Sequence, residues 1–297
     1  MPPLRYLASP WASVHGPSDP RRLWVWVLDA GFGGLLASPG PRSVDWTGLA
    51  EAAQRLPVEV AAVRAGSALA VQSATAGLAS SQDSERRLAV QVIQQAVATA
   101  RRLGCPTVVV EPGLVPIQGD IDAEDLGDPH VRWTHERAHA LLARRKVGRN
   151  AAVDRVCREL FAVARAFPDI QFCLTAGRSL RGVADLAALQ DIFEDLDGLH
   201  LSYWHDCAVV ARREQVLGEP QGEWLETLGN RCRGFGLGDA SPDGIYLPPG
   251  FGGVDYGVVA SYVPRAAAAL PMVVDLDPAV VPSELAGIRA CLDKFGL

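Results

Sequence analysis

Residues 236–256 read GLGDASPDGIYLPPGFGGVDY. They close an apolar, strand-like segment, RCRGFGLGD (231–239), and open a segment of helical spacing that begins at Val254. Between the two stand Asp239, Asp243 and Tyr246, followed by Pro248, Pro249, Gly250, Gly252 and Gly253. Glycine supplies backbone angles closed to other residues and proline fixes φ, so this composition specifies a rigid, irregular loop rather than an ordinary connector. A strand, a rigid loop at its end and a helix together form the unit on which α/β proteins mount chemistry. The same composition also suits a tight turn with no function.

Outward from this unit the pattern repeats. Strand-like segments lie at 4–9, 33–40, 58–66, 105–113, 169–177, 198–206, 231–239 and 270–278. Segments of helical spacing alternate with them. One opens at Ser18-Asp19-Pro20 and ends at Gly31, and others cover 44–56, 80–103 and 134–166, the last with an expected break near Gly148. Further ones cover 182–196, part of 208–230, 254–264 and 281–295. An acidic stretch, 114–129, with Asp120, Asp122, Glu124, Asp125 and Asp128, reads as a long loop. Strands apolar on both faces and separated by amphipathic helices imply a parallel sheet. Eight such units in 297 residues predict an α/β fold of the (β/α)8 TIM-barrel type, a single domain over 1–297. A doubly wound sheet is the alternative, but the first strand lacks the GxGxxG turn of a dinucleotide site.

Composition narrows the function. Hydrophobic residues make up 48% of the chain, enough for a sizeable core, and no run of 18 apolar residues predicts a membrane span. The N-terminal MPPLRYLASPW lacks the pattern of a signal peptide. Six cysteines are scattered with no CxxC pair, which predicts free thiols in a reducing cytoplasm. A net charge of −6 argues against a nucleic-acid partner. Only two of the 28 basic residues are lysine, a bias that carries no functional meaning here.

In a barrel the strand ends converge on one pocket. Those ends carry Ser38, Arg64, Glu111, Thr175, the cluster Tyr203-Trp204-His205-Asp206, Asp239 and Asp275, with Tyr246 and Asp277 nearby. Such a pocket combines carboxylates with aromatic faces, which suits a sugar-like ligand: aromatic rings meet its CH faces and carboxylates its hydroxyls, or a metal ion. Each residue also has a structural reading. Glu111 and Asp206 can cap the helices that follow, Arg64 can pair with Glu111, His205 can be a satisfied core histidine, and Asp239 can be a turn residue beside Ser241 and Pro242. Asp275 ends an apolar strand, where a capping role is least natural.

These segments resemble the xylose-isomerase-like barrel superfamily, which includes sugar-phosphate isomerases and epimerases and endonuclease IV. LDAGFGGLLAS (28–38) is similar to the family's first helix end and second strand. RRLGCPTVVVEPG (101–113) is similar to the segment ending in a metal ligand and Pro-Gly, and LPPGFGGVDY (247–256) to its Pro-Gly-x-Gly loop. The resemblance implies one to three divalent metals at the strand ends, but the ligands carry over poorly. Arg64 stands where relatives have a third-strand histidine, Glu111 at the fourth-strand histidine of endonuclease IV, and Thr175 at the fifth-strand glutamate. Tyr203 and Asp206 take the sixth-strand Asp-x-x-His pair. Gly236 takes the seventh-strand histidine, with Asp239 kept as the aspartate three residues on. Tyr246 takes the histidine before the Pro-Gly loop, and Asp275 shortens the eighth-strand glutamate. Such losses predict that the usual metal site is absent and no cofactor is held, with Glu111, Asp206, Asp239, Asp275 and His205 as donors for a rearranged divalent site.

Three functions follow. The first is a sugar-phosphate isomerase/epimerase-like enzyme acting on a small carbohydrate or polyol. Glu111 or Asp275 would be its base, Arg64 the enolate stabiliser and Tyr246 or His205 the proton donor, with Trp204, Tyr203, Asp206 and Asp239 binding substrate. The second is an inactive barrel that binds a small ligand or partner protein. The third, a nuclease, is disfavoured by the acidic charge and missing histidines.

Overall fold

The structure, a computed structural model, describes residues 4–66, 77–121, 123–263 and 270–297. Asp122 of the acidic stretch and Pro264, the last residue of the helix expected over 254–264, lie outside the described residues. Alternation begins with β1 (Arg5–Ala8), α1 (Ser9–His15), α2 (Pro20–Asp29), β2 (Gly34–Ala37), α3 (Trp46–Ala53), β3 (Glu59–Arg64), α4 (Asp83–Arg102) and β4 (Thr107–Val110). It continues with α5 (His135–Ala166), β5 (Gln171–Leu174), α6 (Leu186–Asp195), β6 (Leu201–Asp206), α7 (Cys207–Leu217), α8 (Gln221–Leu228) and β7 (Cys232–Gly236). A hairpin, β8 (Asp239–Ser241) and β9 (Gly244–Leu247), precedes α9 (Tyr256–Tyr262), β10 (Met272–Val274) and α10 (Leu285–Asp293). The strands close in the order β1-β10-β7-β6-β5-β4-β3-β2, every pair parallel. This is the (β/α)8 barrel, and its closure excludes the doubly wound sheet.

The helices start where short polar side chains satisfy their first amides. Asp19, Asp45, Thr134, Asp185, Asp206 and Asp255 each accept from a backbone N–H three residues on, contributing about 1 kcal/mol apiece. Three expectations change. Helix α1 follows β1 without a loop, with Pro10 in its first turn. Helix α5 runs unbroken through Gly148, whose missing side chain admits Val115 and Pro116: an added Cβ would lie 3.1 Å from each. The loop at 236–256 folds its first half into the hairpin β8–β9.

Two apolar layers result. The larger lies between the strands and the helices. The smaller fills the barrel: Tyr6, Ala8, Leu36, Ala61, Ala62, Val109, Cys173, Trp204 and Val273. Trp204 is the bulkiest of these, and β7 makes room for it. A Cβ on Gly234 would collide with the indole ring. Side chains alternate along a strand, so the residue two beyond Leu36, Ala62, Val109, Cys173, Trp204 and Val273 also points inward, at the C-terminal mouth.

Candidate active site

Stepping two residues from the barrel plugs gives Ser38 after Leu36, Arg64 after Ala62, Glu111 after Val109, Thr175 after Cys173, Asp206 after Trp204 and Asp275 after Val273. All six line one cavity of about 320 Å³, together with Arg178, Tyr246 and Asp277. A larger cavity of about 630 Å³ opens toward α3 and α4 and shares Ser38, Arg64 and Glu111. Its remaining lining, including Val44, Trp46, Leu88 and Val92, is mostly apolar, so the polar chemistry lies in the smaller one.

Arg64 meets Asp275, not Glu111: their ion pair is 2.8 Å long, with the Asp275 side chain 7% exposed. Strands β3 and β10 are separated around the ring by β2 and β1, so the guanidinium reaches across the barrel mouth to make this contact. Burial works against the Arg64 charge. The Asp275 and Asp206 carboxylates together oppose this effect, and the guanidinium holds its proton more firmly than usual.

Asp206 serves two partners. Oδ1 accepts from the Val209 amide at 3.1 Å, capping α7, and Oδ2 accepts from the Tyr246 hydroxyl at 3.1 Å. Burial pushes its carboxyl up to about 6; Arg64 counters part of this and Asp275 adds to it. Among the described residues the Glu111 carboxylate accepts no hydrogen bond, and burial pushes it up to about 7 against the pull of Arg64 and Arg178. Tyr246 sits at φ 61°, a left-handed conformation unusual for a tyrosine, and its carbonyl accepts from the Asp277 amide at 2.8 Å. Burial and the two aspartates hold its phenol well above the ordinary range, so it stays protonated.

Arg178 is the residue the sequence reading passed over. It grips Asp125 of the acidic stretch through two bonds of 3.1 and 2.8 Å, and its guanidinium lies 5.9 Å from the centre of the Tyr246 ring. That stretch is tied to the β5–α6 loop by the Leu114–Gly182 and Asp125–Ser179 bridges and by an Arg181–Glu124 pair.

Four expected site residues lie elsewhere. Tyr203 and His205 point out of the barrel into the helix layer, because they alternate with Trp204 and Asp206. Tyr203 stacks on Trp224, while His205 packs on Phe235 and shares a 2.9 Å bond between its Nδ1 and the Tyr203 hydroxyl. Burial lowers the imidazole to about 3, so it is neutral and no proton donor to the pocket. Trp204 plugs the barrel beneath the site. Asp239 holds the loop together: Oδ1 accepts from Ala240 and Val254, Oδ2 from Gly250.

A divalent ion fits this mouth poorly. Glu111, Asp206 and Asp275 are the carboxylates at the inward strand ends, and Asp275 already holds Arg64; Asp277, on the loop beyond β10, also lines the cavity, and its Oδ1 accepts from the Ala279 amide. Asp239 and His205, proposed above as further donors, are buried away from the cavity. Among the described residues no three His, Cys, Asp or Glu are grouped to hold a metal ion. An ion using Asp275 would sit roughly 5 Å from the guanidinium, a repulsion of about 7 kcal/mol at an effective dielectric of about 20.

No family model matches the chain and no curated protein matches it in sequence. Its structure does find relatives. A D-tagatose 3-epimerase-like protein superposes with a TM-score of 0.67 at 16% identity, over 99% of this chain and 97% of the other. A D-psicose 3-epimerase from Clostridium cellulolyticum H10, solved with D-tagatose, gives 0.66 at 13%, over 99% and 98%. A D-allulose 3-epimerase from Methylomonas sp., in complex with D-allulose, gives 0.63 at 12%, over 100% and 95%. In fold, the chain is a (β/α)8 TIM barrel like those of these solved sugar epimerases.

Proposed function

We propose that the protein moves a proton next to the carbonyl of a small carbohydrate or polyol-derived ketose, an isomerase or epimerase reaction. The observation that carries this reading is Glu111: an inward carboxylate without a hydrogen-bond donor among the described residues, pushed up to about 7 by burial, in one cavity with a clamped guanidinium and a protonated phenol. Glu111 removes the proton, Arg64 faces the oxygen on which charge develops, and the Tyr246 hydroxyl returns a proton. Asp275 is bound to Arg64 and is the weaker candidate for the base. Both pocket arginines already hold carboxylates, Arg64 with Asp275 and Arg178 with Asp125, which favours an uncharged sugar over a sugar phosphate. The names of the structural relatives, epimerases of D-tagatose, D-psicose and D-allulose, support the same substrate class. Six free thiols, five of them buried, favour the cytoplasm, and no described helix is long and apolar enough to cross a membrane. The net negative charge disfavours nucleic acid as a partner.

The test is deuterium exchange in D₂O, followed by NMR over a panel of ketohexoses and ketopentoses. At least one sugar should lose its C–H signal with the wild-type protein, and Glu111→Gln should slow that loss by at least about 100-fold. Sugars that raise the melting temperature without any exchange would overturn the reading in favour of a binding barrel.

A further inference from the structure

The mouth of this barrel carries its own cation. The resemblance implies a divalent metal held by side chains at the strand ends, and the inward positions do not supply it: β2 offers Ser38, β5 Thr175 and β7 glycine, leaving Glu111, Asp206 and Asp275. The Arg64 side chain lines the same cavity as those three, fixed by a 2.8 Å ion pair to Asp275 from a strand three places round the ring. We propose that the Arg64 guanidinium, positioned by Asp275, is the resident cation of this site and replaces the divalent ion outright.

A guanidinium is suited to that work. It is always charged, it is planar, and it presents several N–H donors in a fixed fork that can meet a developing oxyanion and a neighbouring hydroxyl together. On the reaction proposed above, the C–H electron pair becomes the C=C bond of an enediolate as Glu111 takes the proton. The carbonyl π pair moves onto oxygen, Arg64 carries that charge, and proton return reverses the flow. No oxidant, reductant or second substrate is required. Asp275 is then a positioning residue: it aims the guanidinium and touches no reacting atom.

The oxyanion role rests on the proposed reaction; the assignment of Arg64 as resident cation does not, and it is tested without turnover. Wild-type protein dialysed against EDTA is titrated with MnCl₂ by calorimetry and melted with and without 1 mM MnCl₂. The expected result is no saturable one-equivalent binding and a melting shift below about 1 °C. Saturable one-site uptake with a clear stabilisation would overturn the assignment. In parallel, Arg64→Gln is melted from pH 5 to pH 8. Its deficit against wild type should widen as pH rises, because the carboxylates left behind ionise without a counter-charge, and Arg64→Gln/Asp275→Asn should regain most of the loss. Equal stability of Arg64→Gln and wild type at pH 8 would overturn the assignment. Should Arg64→Gln not fold, the double variant decides: recovery supports the assignment and continued failure to fold overturns it. Absence of deuterium exchange with every sugar sinks the reaction and leaves the cation standing, whereas manganese uptake sinks the cation and leaves the reaction.

Discussion

Glu111 and Asp275 occupy equivalent places, each two residues beyond a barrel plug, yet their company separates their roles. Asp275 is bound to Arg64. Glu111 lies in the field of Arg64 and Arg178, and burial still lifts it to about 7. A general base works best when its pKa lies near the working pH, which singles out Glu111. The acid partner follows from position and protonation state rather than from a pKa near neutrality. His205, lowered to about 3 and turned outward, carries no imidazolium proton and does not face the cavity, whereas the Tyr246 phenol is held protonated by burial and by Asp206 and Asp275. A rate profile with one rising limb follows: exchange should increase with pH through about 7 as Glu111 ionises and then stay level, because no group that must remain protonated is lost. A fall above pH 8 in the profile of the exchange rate would point to a different acid.

At the level of elements, the barrel mouth is set by the packing below it. Trp204 on β6 fills the interior because β7 turns Gly234 toward it. Gly234→Ala pushes a methyl into the indole face and should cost about 1–3 kcal/mol by urea denaturation, with Trp204→Phe in the same chain recovering part of it. Additive losses in the double variant would show that the two residues do not share this space. The same element marks the limit of the sequence reading. Where a strand has one apolar and one polar face, inside can be told from outside. LSYWHD is buried on both faces, so polarity does not give its phase, and in sequence Tyr203 and His205 look like pocket residues although they face the helices. The phase was written instead in the neighbouring strand, whose glycines at 234, 236 and 238 alternate. Those glycines also put Asp239 out of phase with the pocket, where it ties the loop through three backbone amides. The strand–helix alternation and the six inward polar ends were legible because apolar strand segments stop at polar residues. Arg178 was not, because it lies in an irregular loop among many arginines and only the folded contact with Asp125 and Tyr246 distinguishes it.

For the whole molecule, the consequence of collecting acids at one end of the barrel is a stability that depends on pH in an unusual direction. Paired carboxylates normally strengthen a fold as pH rises, but Glu111 and Asp206 are lifted from ordinary values of 4.5 and 3.8 to about 7 and about 6, burial being the largest cause in both. The folded chain therefore holds their protons longer than the unfolded chain does. Below about pH 4 both states are protonated and the two groups contribute no difference. Between about pH 4 and 7 the unfolded chain ionises first, so stability falls with rising pH, and above about pH 7 the loss is complete and constant. For Glu111 the integrated loss between pH 5 and 8 has an upper figure of about 2.5 kcal/mol, reduced to about 2 kcal/mol because the side chain is partly reached by solvent. Glu111→Gln cannot ionise and should escape it. Urea denaturation of both proteins at pH 5 and pH 8 should therefore show the wild type losing about 2 kcal/mol more than the variant across that interval, with the variant the more stable of the two at pH 8. Parallel curves for the two proteins would mean that Glu111 is solvated in the folded chain, and the assignment of this carboxylate as a near-neutral base would fall with them.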